Sequence, residues 1–270
     1  MLKEISVNLG NFLLSLSDAI DLASPSIASH QMRTAYVAWQ ISKVGKLPEE
    51  IIDKIFIAAL LHDIGALAPE EKIQLHNFKE KDLETHSVRG EWLFELTPLL
   101  KPAARIVRFH HKSWKKWDLS IDSPDVLESQ VLILSDLLER LVKRDQYILH
   151  QVDEIVSKIT AISGSEIHKD VADLFMVLSQ RENFWLGLTS PHLYSLLLHY
   201  GLFGRVEICP DSLWVLASFL AFLDVFWGGR VEKRLKKKIL HFRFFSVIYM
   251  DNVLLSSENI RPLTLLWRGD

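Results

Sequence analysis

Seven side chains able to ligate a metal constrain this chain more than any other feature. In order they are His30, the adjacent pair His62-Asp63, His86, the adjacent pair His110-His111, and Asp136. Imidazole and carboxylate together suit Mn, Fe, Zn and similar divalent ions. Each group lies on or beside a stretch with helical periodicity, so a fold that gathers them must aim several helices at one point. Seven donors exceed the needs of one ion and suit two ions that share a bridging ligand. Two ions roughly 3.5–4 Å apart form a standard device for splitting phosphate esters. The segment Leu60-Leu61-His62-Asp63 alone reads equally well as a core histidine beside an aspartate that caps a helix end. That reading weakens once His30, His86, His110, His111 and Asp136 each need a separate explanation, because buried polar groups are costly unless paired or coordinated.

The hydrophobic pattern is helical almost throughout. Apolar positions recur at helical spacing over 28–44 and stop at Gly45. Pro48 followed by Glu49 and Glu50 marks a helix start with acids in its first turn, and the helix it opens, about 49–64, is apolar nearly all round from Ile55 to Leu61. A helix of that kind belongs inside a protein. Further helices are expected at about 83–97, 101–111, 125–144, 151–162 and 166–180. No segment alternates with period two between hairpin turn signals. The expectation is an all-α bundle over residues 1–187, followed by a smaller, mostly helical extension over 188–270.

Composition narrows the class further. Net charge is −3 with a pI near 6.4, which gives no strong nucleic-acid signal. The single cysteine, Cys209, forms no internal disulfide and suits a reducing cytoplasm. The first residues do not read as a secretory signal, because Asn8, Gly10 and Asn11 precede a short apolar run without a clean small-residue cleavage site. The apolar run Leu213 to Trp227 spans 15 residues and carries Asp224. A bilayer-spanning helix needs about 20 residues, which argues against insertion. A basic run from Arg230 to Lys238 reads most simply as a solvated helix face. Lys112, Lys115 and Lys116 with Trp114 and Trp117 form a basic-aromatic cluster beside the histidine pair. It suits contact with a phosphate and a stacked base, and suits a solvated loop with anchored tryptophans equally well. The remaining histidines, His76 and His168 among them, fit no ligand spacing.

The order His, His-Asp, His, His-His, Asp resembles the HD superfamily of metal phosphohydrolases, and within it the HD-GYP branch. The segments that carry the likeness are His30-Gln31-Met32-Arg33, Leu60-Leu61-His62-Asp63-Ile64-Gly65, Thr85-His86-Ser87-Val88-Arg89-Gly90, Phe109-His110-His111-Lys112-Ser113-Trp114 and Leu134-Ser135-Asp136. The likeness runs from about residue 25 to 185. It implies an HD-type helical bundle in which His62, Asp63 and Asp136 are the shared metal ligands and Asp63 is the bridge. It implies that His86, His110 and His111 serve the second ion, that His30 is the first-helix ligand, and that Arg33 steadies a ligand or a phosphate. It also implies hydrolysis of cyclic di-GMP or a related cyclic dinucleotide.

The chain departs from that family pattern at three places. Trp114-Lys115-Lys116-Trp117-Asp118 stands where the Gly-Tyr-Pro element would follow the histidine pair, Ala66 replaces a lysine, and Ser26 replaces a glutamate that would serve a third ion. The pattern looks like the first of two tandem HD-type domains, with Glu182-Asn183-Phe184-Trp185 resembling the joining segment. The expected protein is a cytoplasmic phosphodiesterase with two divalent ions, Fe or Mn among the candidates. Its expected catalytic residues are Asp63 and Arg33, and Arg33, Lys112 and Trp114 are its substrate contacts. The rival expectation is a metal-containing regulatory or nucleotide-binding module with little or no turnover. Oligomeric state is left open.

Overall fold

The computed structural model of the protein describes residues 5–21, 27–77, 83–200 and 205–208. The chain divides into two compact units, Met1–Val215 and Leu216–Asp270, and every described element lies in the first. Cys209, the apolar run 213–227, the basic run 230–238 and Ser26 all lie outside the described residues, as does most of the expected helical extension.

The architecture is all-α. In chain order the helices are α1 (Leu9–Asp21), α2 (His30–Val44), α3 (Glu49–Leu61), α4 (Pro69–His76), α5 (Leu83–Glu95), α6 (Ala104–Phe109), α7 (Val126–Leu141), α8 (Val152–Ile162), α9 (Lys169–Ser179), α10 (Glu182–Leu188) and α11 (Leu193–Tyr200). Short 3₁₀ turns occur at Lys101–Ala103, Trp114–Lys116 and Ile148–Gln151. The strands β1 (Ile5–Asn8) and β2 (Arg205–Ile208) pair antiparallel, with Ile5 opposite Ile208 and Asn8 opposite Arg205. Four residues are too few to show a period-two pattern, so the sequence gives no sign of this ribbon. The sequence reading also missed α1 and α4. The apolar stretch Phe12–Leu16 belongs to a helix of 13 residues.

Helix α2 is the hub, packed against α3, α7, α9 and α1. Its neighbour α3 is the apolar helix that the sequence places inside. Ile55, Ala58, Ala59, Leu60 and Leu61 are completely buried, and a fully buried Leu or Ile contributes about 1.5–3 kcal/mol. Helix α5 packs on α6, and α6 on α3 and α7. Helix α11 packs on α1 and α2, and the expected division after residue 187 falls within α10.

The helices end where the ligand candidates begin. α3 stops at Leu61, and residues 62–65 form a turn closed by hydrogen bonds from Ile64 N to Leu61 O and from Ala66 N to Asp63 O, both 3.0 Å. Gly65 is required here by close approach. A Cβ on it would lie 2.0 Å from His86 O and 2.5 Å from Gly90 N. Gly90 clears α6 instead, since a Cβ there would lie 2.8 Å from Val107 Cγ1 and only in ordinary contact, 3.7 Å, with His62 O. Gly65 therefore lets α5 lie against the His62-Asp63 turn.

Candidate metal centre

Five separate segments deliver their side chains to one buried point. His30 is the first residue of α2, and Ser29 before it adopts a left-handed conformation and makes no side-chain cap. The cap comes from a distance: Asp21, at the end of α1, accepts hydrogen bonds from Gln31 N at 2.9 Å and Gln31 Nε2 at 3.1 Å. His62 and Asp63 occupy the turn after α3, and His86 lies on α5. His110 and His111 follow the end of α6, and Asp136 lies on α7. Of these seven, His30, His62, Asp63, His86, His110 and Asp136 are buried, and His111 is half-buried.

The two oxygens of Asp63 face different groups. Oδ2 lies 3.4 Å from His62 Nε2 and 3.7 Å from His30 Nε2. Asp136 Oδ1 completes that side, 3.4 Å from His30 Nε2 and 3.6 Å from His62 Nε2. Oδ1 of Asp63 lies 3.7 Å from His86 Nε2 and 3.8 Å from His110 Nε2. His86 Nε2 is in turn 3.2 Å from His110 Nε2 and 3.1 Å from His111 Nε2. Two clusters of donors therefore meet across one carboxylate.

Hydrogen bonds at Nδ1 orient three of the histidines, and low proton affinity marks the cluster of His86, His110 and His111. Glu139 and Asp136 raise His30 to about 10 against burial, and Asp63 and Asp136 raise His62. A carbonyl oxygen only accepts, so His62 Nδ1 donates to Ala59 O at 3.0 Å and His110 Nδ1 to Val107 O at 2.5 Å. His30 Nδ1 donates to Glu139. Fixing a proton on Nδ1 directs Nε2 at the centre, the atom through which such histidines ligate a metal. Burial, reinforced by the surrounding histidines, holds His110 well below the ordinary imidazole range. Burial likewise pulls His111 down to about 3, with His86 and Arg140 acting in the same direction against Asp136, and it lowers His86. Three neutral imidazoles that crowd their Nε2 atoms together have more lone pairs than protons, and a shared cation resolves the mismatch. Both Asp63 and Asp136 stay ionised although burial opposes it. His62, His86 and His30 lower Asp63, and Arg140 with His30 and His62 lowers Asp136. The donor set therefore fits divalent cations.

A second layer of residues escaped the sequence reading. Glu139, one turn beyond Asp136, is 2% exposed. It accepts from His30 Nδ1, from Arg33 Nε at 2.6 Å and from Arg144 Nη2 at 3.3 Å. His76, read from sequence as ordinary, places Nε2 3.5 Å from Glu139 Oε2, and its ring lies 5.2 Å from that of His30. Arg140 binds Asp136 Oδ2 at 2.7 Å and Leu75 O at 2.9 Å. For Arg140 the i,i+4 spacing behind Asp136 is the available signal.

The expected substrate contacts, Arg33, Lys112 and Trp114, each have a partner within the protein. The Arg33 guanidinium is occupied by Glu139 and by Ala28 O at 2.9 Å. Lys112 Nζ lies 4.2 Å from the Trp117 ring centroid. Trp114 packs edge-on against His168 at 4.3 Å between centroids, and its backbone N–H donates to Glu166 O at 2.8 Å. Lys115 pairs with Glu166.

The pattern of the centre agrees with comparison to known proteins. Residues 27–141 match the model of the HD domain family. This stretch of the chain is similar to the HD domain. Its boundaries enclose all seven ligand candidates. The chain is 24% identical over 198 residues to a 3'3'-cGAMP-specific phosphodiesterase 1 of Vibrio cholerae, covering 70% of this chain and 46% of the relative. It is also 24% identical over 198 residues to a probable cyclic di-GMP phosphodiesterase of the same organism, covering 64% of this chain and 44% of the relative. The chain thus spans about half the length of these curated relatives. A crystal structure of a cyclic GMP-AMP specific phosphodiesterase of V. cholerae superposes with a TM-score of 0.65 at 14% identity, covering 83% of this chain and 63% of that one, which supports the fold. Among the described residues no helix is long and apolar enough to cross a membrane.

Proposed function

We propose that the HD-like domain of this chain is a phosphodiesterase centre that works with two divalent cations and acts on a cyclic dinucleotide or a closely related phosphodiester. One observation carries the reading: the two oxygens of Asp63 face two separate clusters of imidazole and carboxylate donors. His30, His62, Asp63 and Asp136 would hold one cation, and Asp63, His86, His110 and His111 the other. When bound, a cation pair of this kind supplies Lewis acidity, acidifying water and drawing charge from phosphate oxygens.

The chain's own residues do the rest. Asp63 offers one oxygen to each side and so fixes the spacing. Arg140 occupies the second oxygen of Asp136, leaving one oxygen for ligation. The apolar surroundings supplied by α3 exclude bulk water, which strengthens every electrostatic interaction with a bound phosphate. Lys112, directly after the histidine pair, offers a positive charge to the anionic substrate. Trp114 and Trp117 shape the adjoining wall. The substrate class is argued from the relatives, whose names refer to cyclic GMP-AMP and cyclic di-GMP; the HD-GYP likeness, degenerate at Trp114–Asp118, points the same way.

A second reading is favoured by Ala66. This residue is completely buried, so the position that the HD-GYP resemblance assigns to a lysine supplies no charge. The domain would then bind a nucleotide with little turnover. Metal analysis, together with hydrolysis assays on cyclic GMP-AMP, cyclic di-GMP and an aryl phosphodiester with Mn or Fe supplied, separates the two. Turnover supports the enzyme. Tight nucleotide binding to metal-loaded protein without turnover supports the regulatory module, and protein that takes up no metal contradicts both.

A further inference from the structure

We propose that Glu139 is the positioning residue of the first cation half-site: one carboxylate, itself fastened by Arg33 and Arg144, holds His30 so that its Nε2 faces Asp63 and Asp136. The inference rests on the two-cation reading and goes beyond it by assigning a role to residues outside the ligand set. Glu139 lies three residues after Asp136 on α7, so a single helix presents both a ligand and the group that orients another ligand. His30 begins α2, where Ser29 offers no side-chain cap. The Glu139 carboxylate receives His30 Nδ1 on one oxygen, and Arg33 Nε at 2.6 Å and Arg144 Nη2 at 3.3 Å on the other. His76 Nε2 approaches the first oxygen at 3.5 Å.

This geometry gives Arg33 a different task from the one its sequence position suggested. Its guanidinium bonds Glu139 and Ala28 O, and its side chain is 15% exposed. It therefore acts on the centre through Glu139 and His30. Groups that orient a ligating histidine typically affect metal affinity by about 10–100-fold. The effect should be confined to the side of Asp63 where His30 lies, because His86, His110 and His111 make no contact with Glu139.

Titration of metal-free protein with Mn(II), followed calorimetrically and by the electron paramagnetic resonance of coupled Mn pairs, tests this. Wild-type protein should bind two ions and show the coupled-pair signal. Glu139→Gln should retain one ion at its original affinity, weaken the other about 10–100-fold, and lose the coupled signal at limiting metal. In a His86→Ala background, which disables the second half-site, Glu139→Gln should weaken the remaining binding by the same factor, about 10–100-fold. If Glu139→Gln fails to fold, Arg33→Gln provides the reading: it should weaken the same single ion several-fold, with the other unchanged. Unchanged affinities for both ions, or equal loss of both in folded protein, would overturn the role of Glu139 while leaving the two-cation reading in place. Wild-type protein that binds no Mn(II) would overturn both.

Discussion

The contact between Gly65 and α5 allows a quantitative test of how the centre is assembled. In Gly65→Ala the new methyl would sit 2.0 Å from His86 O and 2.5 Å from Gly90 N, both backbone atoms that cannot rotate away. Restoring even the shortest tolerated separation, 3.0 Å, moves α5 or the turn by about 1 Å. Overpacking of this kind costs about 1–3 kcal/mol. The consequence for the centre is larger than the consequence for stability. His86 rides on α5, and His62-Asp63 ride on the turn, so the shift separates Asp63 Oδ1 from His86 Nε2. Metal–ligand distances are held to about 0.2 Å, and a 1 Å displacement exceeds that several times over. Gly65→Ala should therefore fold with a lowered melting temperature, lose the ion proposed for the His86 side, and lose about 10²-fold or more of the proposed phosphodiesterase activity. Gly164→Ala is the control. Gly164 has φ +79° and nothing within 4 Å of its missing Cβ, so it should lose about 1 kcal/mol to backbone strain and keep both ions. Isothermal titration with Mn(II) and denaturant unfolding measure both variants. A Gly65→Ala protein with two ions at wild-type affinity would refute the claim that this close approach sets the centre.

Three further outcomes follow from the same geometry. Asp63→Asn should remove both ions together, because its oxygens serve both clusters; retention of either ion at wild-type affinity, measured by elemental analysis after dialysis, would contradict the bridge. Asp21→Ala strips the acceptor from two Gln31 hydrogen bonds and a buried negative charge near Lys72, so it should cost about 2–3 kcal/mol in urea unfolding, and a loss below about 0.5 kcal/mol would contradict the remote cap on α2. Metal-free protein should be most stable near pH 6.5. His111 titrates at about 3 when folded and at about 6.5 when unfolded, so the unfolded chain binds the extra proton and stability falls as pH drops below 6.5. His30, raised to about 10 by Glu139 and Asp136 against burial, contributes stability that is complete below 6.5 and lost as pH rises toward 10. Unfolding free energies of chelator-treated protein that rise steadily from pH 6.5 to 9 would contradict this sign.

The sequence picks out the candidate ligands because metal chemistry uses few residue types, and His-Asp and His-His pairs stand out against apolar helices. Helices α2, α3, α5, α7, α8 and α9 were legible because each has a long apolar face or a capped end. α3 was placed inside on its apolar girth alone, and the structure finds it there. What was illegible depended on contacts between distant segments. Glu139 looks in sequence like any solvent-facing acid on α7, and only the arrival of His30, Arg33 and Arg144 gives it a role. His76 stands on α4, a helix of eight residues with mixed polarity, and has no ligand spacing to any other histidine. Asp21 reads as an ordinary acid at a helix end, though it caps a different helix. Arg33 was legible as important, one turn beyond His30. Its partner was not, because a guanidinium serves a carboxylate and a phosphate equally well in sequence.

The most direct measurement is an anomalous-scattering map of crystals grown with Mn or Fe, recorded at the metal's absorption edge. Two peaks about 3.5–4 Å apart should flank the Asp63 carboxylate, one between His30, His62 and Asp136 and the other between His86, His110 and His111. A single peak, or none within reach of Asp63, would contradict the shared centre.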